Sequence, residues 1–329
     1  MKVPPLFLRC DSVHMQIDYA AITHPGRIRK NNEDAYLLSA LDGDEPVINE
    51  GGRGFEVGHA GFLAAVADGM GGAASGEIAS REGLAAMNLH LYLHWGRFAR
   101  ADGPERRILS ALAGAAQEAS RSVLRYADSE RASRGMGSTL TTLLVWNRWA
   151  YIAQVGDSRA YLFRDGQLHQ LTTDQTLVHE LISQGALTPE EAKTHPQRNM
   201  ITQALGSTHP LRIPVCRLEL RRGDRILCCS DGLHGEVPDE RIREILCEPL
   251  PPRRLLEALV DAANAHGGRD NITGVLLVLD DPALPPPVPG EAVYVDQPDA
   301  EEPSSPGVNG APSGPGLMGR MRRLLGAKA

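Results

Sequence analysis

Five acidic positions in this chain share one local setting. Phe62-Leu63-Ala64-Ala65-Val66-Ala67 is a run of small apolar residues that ends in Asp68-Gly69-Met70-Gly71-Gly72. Residues 151–155 lead into Gly156-Asp157-Ser158, and residues 225–229 lead into Ser230-Asp231-Gly232. Gly267-Gly268-Arg269-Asp270-Asn271 opens the apolar run 272–279, and Arg29-Lys30-Asn31-Asn32-Glu33-Asp34 opens Ala35-Tyr36-Leu37-Leu38. Apolar runs this short, stopped by glycine, read as buried strands. Each acid then sits where a strand meets the surface. A carboxylate there is costly without a partner. If the five strand ends converge, their charges repel unless cations sit between them. Every candidate ligand is an oxygen donor, which suits hard divalent ions such as Mg²⁺ or Mn²⁺.

Residues 15–23 alternate through Ile17, Tyr19 and Ala21 and predict a strand, and His24-Pro25-Gly26 turns the chain toward Arg29. Residues 41–60 are rich in Gly, Asp and Glu and read as a loop between two strands. Ser75 is the expected N-cap of a helix with Glu77 in its first turn and Ile78, Ala85, Leu89 and Leu93 on its apolar stripe. Pro104 opens a second long helix that buries Ile108, Leu112, Ala115, Ala119 and Val123. Strands are expected at 139–145, 151–155 and 159–164, and Asp165-Gly166 marks a tight hairpin into 167–171.

Residues 174–199 are more polar and hold two short helices. The second of these opens with the capping box Thr188-Pro189-Glu190-Glu191. They predict a surface flap. Strands at 211–220 and 225–229, helices near 239–247 and 253–266, and the final strand 272–279 complete the folded part. Residues 1–14 read as a lead-in. From Asp281 onward Pro, Gly, Glu and Ser dominate, so 281–329 is expected to be a disordered tail. Its tip, Gly319-Arg320-Met321-Arg322-Arg323-Leu324-Leu325, is basic and apolar, with docking to a partner or an anionic membrane surface as the alternative to an incidental end.

The chain has 329 residues, 42% of them hydrophobic, and a net charge of −7. Nothing in that balance suggests nucleic-acid binding. No apolar run approaches membrane-spanning length, and Arg9 interrupts the short apolar N-terminus. A cytoplasmic location is the default expectation. The five cysteines form no CxxC pair, so neither a disulfide framework nor a zinc site is expected. Adjacent Cys228 and Cys229 read as small hydrophobes on opposite faces of a core strand.

In order, Arg29-x-x-x-Glu33-Asp34, Asp68-Gly69-Met70-Gly71-Gly72, Gly137-Ser138-Thr139, Gly156-Asp157-Ser158-Arg159, Ser230-Asp231-Gly232 and Arg269-Asp270-Asn271 resemble the metal-dependent (type 2C) Ser/Thr protein phosphatases. The likeness is to their bacterial branch and covers roughly residues 15–280. It implies an α+β fold, a four-layer αββα sandwich of two antiparallel sheets flanked by helices. It also implies hydrolysis of phosphoserine and phosphothreonine at a two-metal centre holding Mn²⁺ or Mg²⁺. Carried onto this chain, Asp68 would bridge both metals. The Gly69 carbonyl and Asp34 would support one, and Asp231 and Asp270 the other. Arg29 would hold the substrate phosphate, and Asp157 with Asp231 matches the position of a third metal. The implied partners are phosphoproteins, a cognate Ser/Thr kinase and that kinase's substrates.

Two departures stand out. Met70 occupies the place of a histidine proposed as general acid in eukaryotic relatives, as is common in the bacterial ones. Asn199 follows His195-Pro196-Gln197-Arg198 where some relatives place serine near the third metal. Taken singly, Asp157 and Asp231 read as turn residues, Arg29 and Asp34 as surface charges, and Asp270-Asn271 as a loop. His234 reads as structural, and Ser138 and Thr139 as shaping the strand entry. A pseudophosphatase that binds phosphoproteins without turnover is the main alternative, and a phosphatase dedicated to one specialised partner is another. The presence of every acidic ligand favours an enzyme.

Overall fold

The computed structural model describes residues 15–41, 50–58, 61–71, 75–99, 104–130, 133–290, 292–293 and 295–296. The expected lead-in at 1–14 and the tail from 297, including its basic tip, lie outside the described residues. The strands are β1 Met15–His24, β2 Asp34–Ala40, β3 Gly51–Val57, β4 Phe62–Met70, β5 Gly137–Ser138, β6 Leu140–Trp146, β7 Trp149–Val155, β8 Arg159–Arg164, β9 Gln167–Gln170, β10 Val215–Glu219, β11 Asp224–Cys229 and β12 Ile272–Leu279. The helices are α1 Ser75–Ala99, α2 Pro104–Ser129, α3 Leu177–Ser183, α4 Pro189–Thr194, α5 Asp231–His234, α6 Asp239–Cys247 and α7 Pro252–Ala265.

One sheet runs β3-β1-β12-β11-β8-β9. The other runs β10-β7-β6-β4-β2, with β5 on the end of β4. Every ladder is antiparallel. The alternation of side chains along each strand sorts the core into three seams. In β4, Phe62, Ala64 and Val66 enter the seam between the sheets, and Leu63, Ala65 and Ala67 enter the seam under α1 and α2. In β12, Val275, Leu277 and Leu279 face the opposite sheet, and Ile272 and Leu276 face α6 and α7. Cys228 and Cys229 part the same way. The result is the four-layer αββα sandwich.

The second long helix buries the five residues expected, all at 1% exposure or less. The stripe expected on α1 is kept in part: Ala85 is buried and Ile78 packs against the core. Leu84, Met87, Leu91 and Trp95 carry its contact with the core, and Leu93 is exposed. Helix α1 packs against the sheet through β4 and β2 and against its neighbour α2, so much of its circumference is buried and no single stripe marks its face. Asp165 and Gly166 both adopt positive φ, 49° and 74°, as a tight hairpin with the strands' own twist requires.

Two expectations need correction. The segment 41–60 is not all loop, because it contains β3, which pairs with β1. Three glycines hide it. Its register is set instead by Val57, fully buried, and by Phe55 against the rings of Tyr19 and Phe62. The packed chain also continues past 280. Leu284 is 2% exposed in the seam between the sheets, with Val293 and Val295 packed against that seam. Asp296 pairs with Arg217 on the outer edge of β10 through two 2.9 Å backbone hydrogen bonds. A few apolar residues in a proline-rich stretch are enough to tie it down.

Candidate active site

The antiparallel ladders bring the five acids to one end of the sandwich. Asp34 opens β2 directly opposite Asp68 near the end of β4. Asp231 follows β11, Asp270 precedes β12, and those strands meet at Cys229 and Gly274. Asp157 follows β7. Each acid is placed by a strand end, and the loops around it are pinned by close backbone contacts. At Gly69 a Cβ would stand 2.0 Å from the Gly76 carbonyl oxygen and 2.6 Å from that of Glu33. At Gly232 it would stand 2.0 Å from the Asn271 carbonyl oxygen. The glycine after Asp68 and the glycine after Asp231 therefore allow neighbouring chain segments to close against the site.

Hydroxyls and amides fix the backbone. Thr139 Oγ1 accepts from the Asp68 N–H at 2.9 Å, the Thr139 N–H donates to the Asp68 carbonyl at 2.8 Å, and Ser138 Oγ donates to it at 3.0 Å. Both residues shape the strand entry, as expected. Sequence reasoning missed Asn271. Its Oδ1 accepts from the Glu33 N–H at 2.8 Å, and its Nδ2 donates to the carbonyls of Asn31 at 2.9 Å and Pro25 at 3.2 Å. One amide thus staples the Arg29 loop to the Asp270 loop. The Asp-Asn pair before a strand was its one sequence signal.

The electrostatics show the convergence. Burial, then the charges of Asp34, Asp231, Asp157 and Asp270, raise the Asp68 carboxyl above its ordinary value. Burial raises Asp34 to about 7 although Ser230 Oγ donates to its Oδ2 at 2.7 Å. Burial and then Asp231 raise Asp157 to about 7. Asp231 is raised by burial and then by Asp270. Oδ1 of Asp34 and Oδ1 of Asp231 are buried without a hydrogen-bond partner. Buried carboxylate oxygens left bare among like charges are costly. A bound cation removes both penalties.

Among the described residues no three His, Cys, Asp or Glu side chains already form a ready ligand set. Ions of the Mg²⁺ type keep several waters and need one or two carboxylates each. The oxygen donors of Asp34, Asp68, Asp231 and Asp270, with the bare Oδ1 atoms of Asp34 and Asp231, fit such ions.

Beside the acids lies a cleft of about 500 Å³. Asp157, Asp231 and Asp270 line its floor, and Val178, Lys193 and Asn199 of the flap line one wall. Arg29 stands beside Asp270, joined to its Oδ2 at 2.8 Å, with the two side chains 53% and 38% exposed. His234 is structural. Its Nε2–H donates to the Asp157 carbonyl at 3.0 Å, and burial pushes the ring down to about 3, so it stays neutral.

The profile of protein phosphatase 2C matches residues 54–276. The chain belongs to the protein phosphatase 2C family. Among its relatives is the serine/threonine protein phosphatase PstP of Mycobacterium tuberculosis, 37% identical over 264 residues. That match covers 80% of this chain but spans only 45% of PstP. The serine/threonine phosphatase stp of Listeria monocytogenes is 34% identical over 258 residues, 78% of this chain and 94% of the relative. The crystal structure of the PstP catalytic domain in complex with two manganese ions superposes with a TM-score of 0.65 at 34% identity. It covers 81% of this chain and all of that one. The family assignment agrees with the sandwich and with the order of its acidic strand ends. Among the described residues no helix of this family member is long and apolar enough to cross a membrane.

Proposed function

We propose that this chain is a Mn²⁺- or Mg²⁺-dependent phosphatase of phosphoserine and phosphothreonine in proteins, opposing a Ser/Thr kinase in cytoplasmic signalling. The convergence of five aspartates at one end of the sandwich, three of them lining the cleft and two with bare buried oxygens, carries this reading. Asp68 lies centrally and would touch both cations. Asp34 and the Gly69 carbonyl would support one, and Asp231 and Asp270 the other. Asp157 with Asp231 would hold a third. Bound there, the cations supply an activated water nucleophile and offset the charge of a phosphate monoester.

The protein's own groups do the rest. Arg29 presents a planar fork that can donate two hydrogen bonds to a phosphate. Its present pair with Asp270 is half-exposed, a class of contact worth about 1 kcal/mol or less. A phosphate dianion can therefore draw it away. Met70 has no proton to give a leaving alkoxide, so that proton comes from another group or from water. The flap narrows the approach to the cleft floor. Every acidic ligand is in place, which supports turnover over the pseudophosphatase alternative.

Replacing Asp231 tests this reading. Asp231→Asn should lower phosphate release from a phosphothreonine peptide by roughly a thousandfold and leave the circular dichroism spectrum unchanged. Wild-type turnover in that variant would contradict the assignment.

A further inference from the structure

Gln175, at the root of the flap, uses all four of its polar groups. Its N–H donates to the Gly156 carbonyl at 3.1 Å, and its own carbonyl accepts from the Thr202 N–H at 2.8 Å. Its Oε1 accepts from the Gly156 N–H at 2.7 Å, and its Nε2 donates to the Arg212 carbonyl at 3.3 Å. Gly156 stands at φ 94° and immediately precedes Asp157. The residue that begins the flap therefore grips both backbone groups of the residue that presents Asp157.

The remaining holds on this turn come from inside the sandwich. Gln154 Nε2 donates to the carbonyls of Gly156 and Ser158, each at 3.1 Å, and His234 holds the Asp157 carbonyl. Gln175 reaches it from the flap. The flap body is lightly seated, since α3 has no buried residue and α4 buries only Ala192. Its root is stiff. Leu177 N–H donates to Met200 at 2.9 Å, Thr176 bridges Ile201, and Gln203 clasps Arg212 at 2.7 and 3.1 Å. These bonds give the flap root a direct path to Gly156 and so to Asp157.

We propose that Gln175 is a positioning residue that couples the flap to the Asp157 carboxylate, so that flap placement and cation affinity at Asp157 change together. This rests on the reading of Asp157 as a cation ligand. Coupling of this kind is reciprocal. A cation at Asp157 steadies the flap root, and a substrate that steadies the flap tightens the cation.

The test is a Mn²⁺ titration of the full chain, read from the spin-resonance signal of the free ion. Asp157→Asn should abolish the weakest binding step. Gln175→Met keeps the length of the side chain and removes its hydrogen bonds. It should weaken that same step by about 10–100-fold, as loss of a partner behind a metal ligand does, and leave the tighter steps alone. Gln203→Met breaks a flap-root clasp that does not touch Gly156 and should change the step by less than about twofold. In the wild type, Mn²⁺ at that step should slow hydrogen exchange at the Leu177 and Thr202 amides. If Asp157→Asn removes the step and Gln175→Met does not weaken it, or Gln203→Met weakens it equally, the coupling is overturned while the metal reading stands. If Asp157→Asn leaves every step unchanged, the ligand assignment falls and the coupling with it. Should Gln175→Met fail to fold, unchanged exchange at Leu177 and Thr202 in the wild type would overturn the proposal.

Discussion

Asp34 and Asp157 are buried acids raised to about 7, against roughly 3.9 in an unfolded chain. Between those values the folded protein keeps protons that the unfolded chain has lost. The stability these two groups give is therefore lost as pH rises through that window. A divalent cation must displace the same protons, so its binding strengthens with pH. His234, depressed to about 3, acts oppositely on stability, since the unfolded chain binds its proton first as pH falls. That effect is common to loaded and metal-free protein and cancels in their difference. Mn²⁺ should therefore raise the melting temperature more at about pH 8 than at about pH 5.5. An equal rise at both values, measured by calorimetry, would contradict the assignment of Asp34 and Asp157 to cation sites.

At the scale of elements, the site depends on how closely β2, β4 and α1 approach. Gly69→Ala places a methyl against the backbone of Glu33 and Gly76, and backbone yields less readily than a flexible side chain. It should destabilise the fold by about 3 kcal/mol, the upper part of the overpacking range. Gly96, late in α1, has nothing within 4 Å of its missing Cβ. Gly96→Ala should stabilise by about 0.5–1 kcal/mol through helix propensity alone. Denaturant melts of both variants check the contrast, and a neutral Gly69→Ala would contradict the close approach. The acids at strand ends were legible because each closes or opens a short apolar run. Asn271 and Gln175 were not, because their roles consist of hydrogen bonds to loops remote in sequence. Strand β3 was hidden because its pairing with β1 overrides three glycines that disfavour a strand. The stripe on α1 was legible only in part because that helix is covered on two sides.

Over the whole molecule, the four layers follow from alternation along the strands, yet their order required the resemblance as well as the pattern. The distal strap shows where composition fails as a guide. A proline-rich stretch reads as unfolded, but Leu284 closes the seam between the sheets and Asp296 caps the edge of β10. Leu284→Ala should cost about 2–5 kcal/mol, as buried leucines do. A loss below about 0.5 kcal/mol in a denaturant melt would mean the strap contributes nothing. If the acidic end of this sandwich is a cation-dependent phosphatase centre, phosphate release from a phosphothreonine peptide should depend on the cation. Release followed with Mn²⁺, then with excess chelator, then with Mn²⁺ restored should stop in chelator and return with Mn²⁺. Folded protein that releases no phosphate with Mn²⁺ or Mg²⁺, or that releases it equally in chelator, would contradict that reading.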